Sequence, residues 1–421
     1  MNSRDRVLCA ISHKEPDYPP LDLGGCGQTG INASTLYKLR KFYGLPEHPI
    51  EINEPLQMLG VVEEDLLKKI GADVVPLWNN ANLLGLSTRM TKPWTMSDGT
   101  PLFMPENFEF DVSEKGDTMV YPCGDRSAPY ALQMPAGGSF FDIISRFPPV
   151  DEDHLTPIED FKENYTLKSE EDCRYWEKES KRLYEETQFA VMGVLGGMGL
   201  GDVAEILGPW IKNPRGFRSI EDWLMAHLLY PEYVRAVFEY QTEIALKNLE
   251  LYRQAVGERI QVIWLSGTDF GTQCGTMQSR EIFLDLYKPY YKKVNDWIHK
   301  NTSWKTFFHS CGAIEPLIGD FIDAGVDILN PVQCSAAGMD PKYLKEKYGE
   351  KIVFWGGGVD TQKTLPLGSP EEVRKQVLER LSVFSPGGGF VFAAVHNIVA
   401  KVPPENVVAM FDAVREFRGQ H

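Results

Sequence analysis

The feature that most constrains this chain is the alternation, over most of its length, of short apolar strand-like runs with longer helical patterns. Strand-like runs occupy 19–24, 73–78, 189–197, 261–269, 305–312, 326–332, 351–360 and 389–397, most ending in Gly, Asp, Asn or His. Between them lie helical patterns over 231–256, 279–300, 314–324, 341–348, 369–384 and 404–417, several opened by a Ser or Asp cap with an early Glu. Near-continuous apolar strands separated by helices indicate a parallel sheet buried on both faces. A count of eight favours an α/β fold of the (β/α)8 TIM barrel type over an open doubly wound sheet.

The rhythm breaks between 84 and 160. Turn signals such as Met96-Ser97-Asp98-Gly99, Glu114-Lys115-Gly116-Asp117 and Met134-Pro135-Ala136-Gly137-Gly138 punctuate short β-prone runs there. This predicts a β-rich insertion after the second barrel strand, inside a single domain spanning 1–421. Its Tyr121, Tyr130, Phe140 and Phe141 could cap the barrel mouth or pack within the insertion.

With 421 residues, 43% apolar and 24% charged, the chain can bury a large core. A formal net charge of -16 disfavours nucleic acid and anionic membrane as partners, since both are negative. No apolar stretch approaches the roughly twenty residues of a membrane span, and the first residues lack a signal-peptide core, so a cytoplasmic location is expected. Seven scattered cysteines do not form a disulfide framework; in a reducing compartment they are free thiols or metal ligands.

In a barrel, the residues at the carboxyl ends of the strands line the active-site mouth. That places Asp22, Asp269, His309 with Cys311, Asn330, Asp360 and His396 together, with Gln273 and Cys334 close by in loops. His309-Ser310-Cys311 is the sharpest of these, because an imidazole and a thiolate two residues apart on a strand end point the same way, as zinc requires. A third ligand would come from a distant strand end: His396 first, Cys334 second. Three protein ligands with an open fourth position describe a catalytic zinc, and the closely spaced Cys pairs of a structural site are missing. Alternatives stay open for each: His396 could bond a backbone carbonyl, Cys334 could be a buried thiol, and Asp269 could cap its turn instead of binding substrate or acting as a base. The glycine clusters at 196–201, 356–358 and 387–389 lack dinucleotide or P-loop spacing.

These residues carry a resemblance. His309-Ser310-Cys311-Gly312, Asp323-Ala324-Gly325-Val326-Asp327 through Asn330-Pro331-Val332-Gln333, Trp355-Gly356-Gly357-Gly358-Val359-Asp360, and His396-Asn397-Ile398 with Pro403-Pro404-Glu405 resemble the uroporphyrinogen decarboxylase superfamily, and within it the cobalamin-linked methyltransferases. The resemblance covers about 180–417 well and the first 80 residues loosely. True porphyrinogen decarboxylases have an arginine-rich amino-terminal loop for the substrate carboxylates, and residues 21–28 contain no arginine. The coenzyme M branch is similar in its H-x-C, followed by a downstream Cys, where this chain has His396. The insertion is similar to members associated with O-demethylase systems.

The resemblance implies a zinc-dependent methyltransferase that moves a methyl group from a small methylated donor, such as an aromatic methyl ether, to the cobalamin of a partner corrinoid protein. Zinc would sit on His309, Cys311 and His396, with Asp269 and Asn330 orienting the substrate and Asp22, Gln273 and Asp360 contacting it. Transfer from methyl-cobalamin to a thiol or tetrahydrofolate, decarboxylation without metal, a non-catalytic corrinoid-protein chaperone, and a homodimeric assembly are the other expectations it leaves open.

Overall fold

The computed structural model describes every residue except Leu83, Pro148, Gln420 and His421. Its centre is a curled seven-stranded parallel sheet, consistent with a TIM-like barrel. In chain order the strands are β1 (Val74–Leu77), β2 (Ala190–Val194), β3 (Val262–Ser266), β4 (Lys305–His309), β5 (Ile328–Asn330), β6 (Val353–Trp355) and β7 (Phe390–Val391). Each pairs in parallel with its sequence neighbour, Val191 opposite Val75 and His309 opposite Asn330 among them. Helices connect the strands and cover the outer face, the longest being Pro231–Val256.

Period-two alternation divides each strand between two cores. Val74, Met192, Val262, Phe307, Ile328, Val353, Trp355 and Val391 fill the interior, while Ile263, Phe308, Leu329 and Phe354 face the helices. The helix Ser3–Ile11 closes the amino-terminal end, inserting Val7 and Ile11 into the interior cluster. Below it, the buried Asp73 carboxylate is clamped by Arg6 at 2.6 Å and Arg418 at 3.0 Å.

The run 19–24 spans the gap between β7 and β1 without forming a ladder. Phe392 donates to Pro20 O (2.8 Å), Asp22 donates to Phe392 O (2.8 Å), and Asp73 donates to Leu21 O (2.8 Å). Pro19 and Pro20 have no N–H to offer, and the Leu21 N–H goes to the Asp73 carboxylate instead of a strand carbonyl.

Two small four-stranded sheets draw most of their strands from the chain between β1 and β2. Phe110–Val112, Thr118–Val120, Leu132–Met134 and Asp142–Ile143 form an antiparallel meander. Met90–Thr95 and Pro101–Pro105 form a hairpin about the expected Asp98-Gly99 turn. Pro101–Pro105 also pairs in parallel with Ile50–Glu54, which precedes β1. The β-rich unit therefore recruits residues outside 84–160, within which Pro148 lies outside the described residues. Tyr121 and Tyr130 both donate to Asp111, at 2.7 and 2.8 Å, and Phe141 packs on Phe108, so these three serve the unit's own packing; Phe140 is exposed. Among the described residues no helix is long and apolar enough to cross a membrane.

Candidate metal centre

The alternation that points Phe307 into the barrel points His309 the same way, two residues nearer the mouth. His309 is 3% exposed, and its Nδ1 lies 2.5 Å from Asn330 Oδ1 on the neighbouring strand. The Asn330 amide nitrogen donates to Trp355 O at 2.7 Å, which fixes the direction of the amide. Nδ1 of His309 therefore carries the proton, and Nε2 presents its lone pair to the mouth.

Cys311 follows, its Sγ 3.4 Å from His309 Nε2. Its N–H donates to Asp269 Oδ1 at 2.6 Å, and that same oxygen stands 3.7 Å from His309 Nε2. Gly312 then turns at φ +89, with a would-be β-carbon only 2.3 Å from the Gly271 carbonyl carbon, so the β3 and β4 loops touch where only glycine fits.

His396, beyond β7, completes the group. One ligand atom from each of His309, Cys311 and His396 lies within 4.8 Å of the others. Behind His396, the Asn397 side-chain amide has one end against Gly27 O (3.0 Å), Gln28 O (3.2 Å) and His396 Nδ1 (3.0 Å) and the other against Gln57 Oε1 (2.6 Å).

The electrostatics match a cation-binding cluster. Burial lowers the pKa of His309, and burial together with His309 pushes His396 down to about 3, so both imidazoles are neutral donors. Burial and the Asp269 carboxylate push the Cys311 thiol well up. A cation is what would favour the thiolate there. Two neutral imidazoles and one thiol, half-open to the mouth, fit a zinc ion with a free fourth position.

The structure places the other expected residues as follows. Asn330 is fully buried with both amide ends engaged, behind His309 and away from the open mouth. Asp22 is 2% exposed and accepts from Trp355 Nε1 and Gly25 N, each at 2.8 Å; burial pushes its pKa up to about 6. Asp360 spends Oδ1 on the N–H groups of Gln362 and Lys363. Exposed Gln273 accepts from Gln333 Nε2 (2.9 Å) and donates to Ser335 O (2.6 Å), and Gln333 in turn accepts from Gly312 N. The Cys334 thiol donates to Val332 O at 3.3 Å and stands outside the three-residue cluster.

Sequence reasoning missed Gln28, Asp202 and Trp264, which also reach this end of the barrel. Asp202 had a signal, since it closes the glycine-rich run after β2.

Residues 212–417 match the family described as Uroporphyrinogen decarboxylase (URO-D). Uroporphyrinogen decarboxylase of Pseudoalteromonas translucida is 29% identical over 100 residues, covering 23% of this chain and 27% of that protein. That of Psychromonas ingrahamii is 33% identical over 87 residues, covering 20% and 24%. The chain thus spans about a quarter of the length of these curated relatives. In three dimensions it is similar to a methyltransferase from Methanosarcina mazei, with a TM-score of 0.58 over 99% of both chains at 16% identity.

Proposed function

We propose, from the match of residues 212–417 to the uroporphyrinogen decarboxylase family, that the protein is a zinc-dependent methyltransferase. It takes a methyl group from a small methyl ether, an aromatic one, and passes it to the cobalt of a corrinoid carried by a partner protein. The carrying observation is the convergence of His309, Cys311 and His396 within 4.8 Å at the strand ends. A zinc ion held there supplies Lewis acidity toward an ether oxygen, easing departure of a phenolate.

The chain's own residues do the rest. Asn330 holds His309 in the tautomer that leaves Nε2 free, and Asp269 fixes the Cys311 backbone. The barrel would hold the ether in line with a corrinoid docked at its mouth, which would supply the methyl acceptor while the phenolate leaves and takes up a proton. In the same reading the whole chain is one catalytic (β/α)8 domain, with 19–24 as its eighth stave and 84–160 as an inserted β-rich unit. A metal-free decarboxylase would leave the three-residue cluster without a role.

Zinc analysis and a demethylation assay with reduced corrinoid protein test this together. One zinc per chain is expected, with affinity reduced at least about a hundredfold in His309→Ala, Cys311→Ala and His396→Ala and unchanged in Cys334→Ser. Activity in a zinc-free protein, or in the ligand variants, would refute the proposal.

A further inference from the structure

The turn after β2 folds back over the end of β3. Gly196 N–H donates to Trp264 O (3.1 Å), Met198 N–H to Leu265 O (3.0 Å), and Thr268 Oγ1 to Leu200 O (3.0 Å). This delivers Asp202 to Gly267. A β-carbon on Gly267 would stand 3.3 Å from Gln28 Nε2, 3.3 Å from Trp264 Cζ2 and 3.9 Å from Asp202 Oδ2. Three side chains from three separate parts of the barrel thus converge on a residue that has none.

Two of their polar atoms find no partner in the protein. Among the described residues, Gln28 Oε1 and Trp264 Nε1 are buried without a hydrogen-bond partner. Asp202 uses Oδ1 to accept from Ala204 N at 2.8 Å, and Oδ2 is the oxygen turned toward Gly267. Buried polar atoms left unpaired cost about 1–3 kcal/mol each, so a pair of them beside a candidate catalytic centre calls for a ligand atom.

The chemistry of that ligand follows from the set. An indole N–H can only donate and an amide oxygen can only accept, so the pair suits a group that both accepts and donates, as the hydroxyl of a phenolic ether does. The niche adjoins the metal centre, since Asp269 lies two residues past Gly267 and bonds the Cys311 backbone. Burial, and then the Asp269 carboxylate, push the Asp202 carboxyl up to about 7, and the Asp269 carboxylate opposes an anionic substituent.

We propose that the niche over Gly267, framed by Gln28, Trp264 and Asp202, binds a hydroxyl group of the methyl donor and selects neutral hydroxylated ethers over carboxylated ones. It rests on the methyl-ether reading above for the identity of the reaction.

The test is calorimetric binding of 2-methoxyphenol, 1,2-dimethoxybenzene and 2-methoxybenzoate to the full-length, zinc-loaded protein. The hydroxylated ether should bind at least about tenfold more tightly than the dimethoxy compound, and the benzoate weakest of the three. In Gln28→Leu and Trp264→Phe, each checked for native circular dichroism, that preference should fall to within about threefold. Equal binding of the three, binding of none, or a preference unchanged in both variants would overturn the niche. Demethylation without the hydroxyl preference sinks the niche and keeps the reaction. The preference without demethylation does the reverse.

Discussion

Replacing Asn330 by Ala should uncouple the metal centre from the fold behind it. Asn330 is fully buried and makes two hydrogen bonds, 2.5 Å to His309 Nδ1 and 2.7 Å to Trp355 O. Truncation removes both and strands an imidazole N–H and a peptide carbonyl in the barrel interior. At about 1–3 kcal/mol for each buried group left unpaired, the loss of stability should be about 2–6 kcal/mol. Free to rotate or to change tautomer, His309 should also hold zinc about 10–100-fold more weakly. Urea unfolding of the zinc-free protein reads the first effect, and zinc titration against a competing chelator reads the second. Asn330→Asp keeps an acceptor for Nδ1 but sets a carboxylate oxygen against Trp355 O, so it should recover zinc affinity better than stability. Zinc affinity within about twofold of wild type in Asn330→Ala would refute the argument that Asn330 orients His309.

Gly312→Ala should cost about 3 kcal/mol or more in thermal unfolding, because a methyl group at φ +89 meets the Gly271 backbone at 2.3 Å. Arg418→Ala should destabilise by about 3 kcal/mol, measured by denaturant unfolding, since it removes one of the two guanidiniums that neutralise the buried Asp73. Glu205, whose pKa burial and then Asp202 push up to about 8, is stable in the fold as the neutral acid. Its contribution is therefore favourable at low pH and is lost as pH rises from its unfolded value toward 8. Glu205→Gln should lie within about 1 kcal/mol of wild type in unfolding free energy at pH 5 and exceed it by more than that at pH 8, as followed by circular dichroism in denaturant.

Much of this architecture is legible in the chain. Seven of the eight apolar runs contain the strands β1 to β7, because a strand buried on both faces must be apolar throughout and must end where the chain reaches the mouth. The eighth run fails as a ladder strand for a reason also written in it, the missing N–H groups of Pro19 and Pro20. Ile50–Glu54 is different. Its sequence IEINE carries only a short Ile-x-Ile alternation outside the long apolar runs, and pairing with Leu59–Gly60 and Pro101–Pro105 makes it a strand.

The site divides in the same way. His309 and Cys311 are set by local geometry, since two residues apart on one strand end share a direction. Which distant side chain joins them is a question of how the barrel curls, and the tertiary structure brings His396 to the pair and leaves Cys334 bonded to a backbone carbonyl. Asn330 and Asp22 look from sequence like residues facing substrate. Only the fold shows their polar atoms taken up by His309, by Trp355 and by Gly25, because hydrogen-bond partners across neighbouring strands are invisible along the chain. Sequence by itself determines the alternation, the strand ends and the H-x-C pair, all products of short-range periodicity. The approach of His396 to that pair, the tautomer of His309 and the convergence of Gln28, Trp264 and Asp202 on Gly267 depend on contacts between distant segments, and the tertiary structure alone decides them.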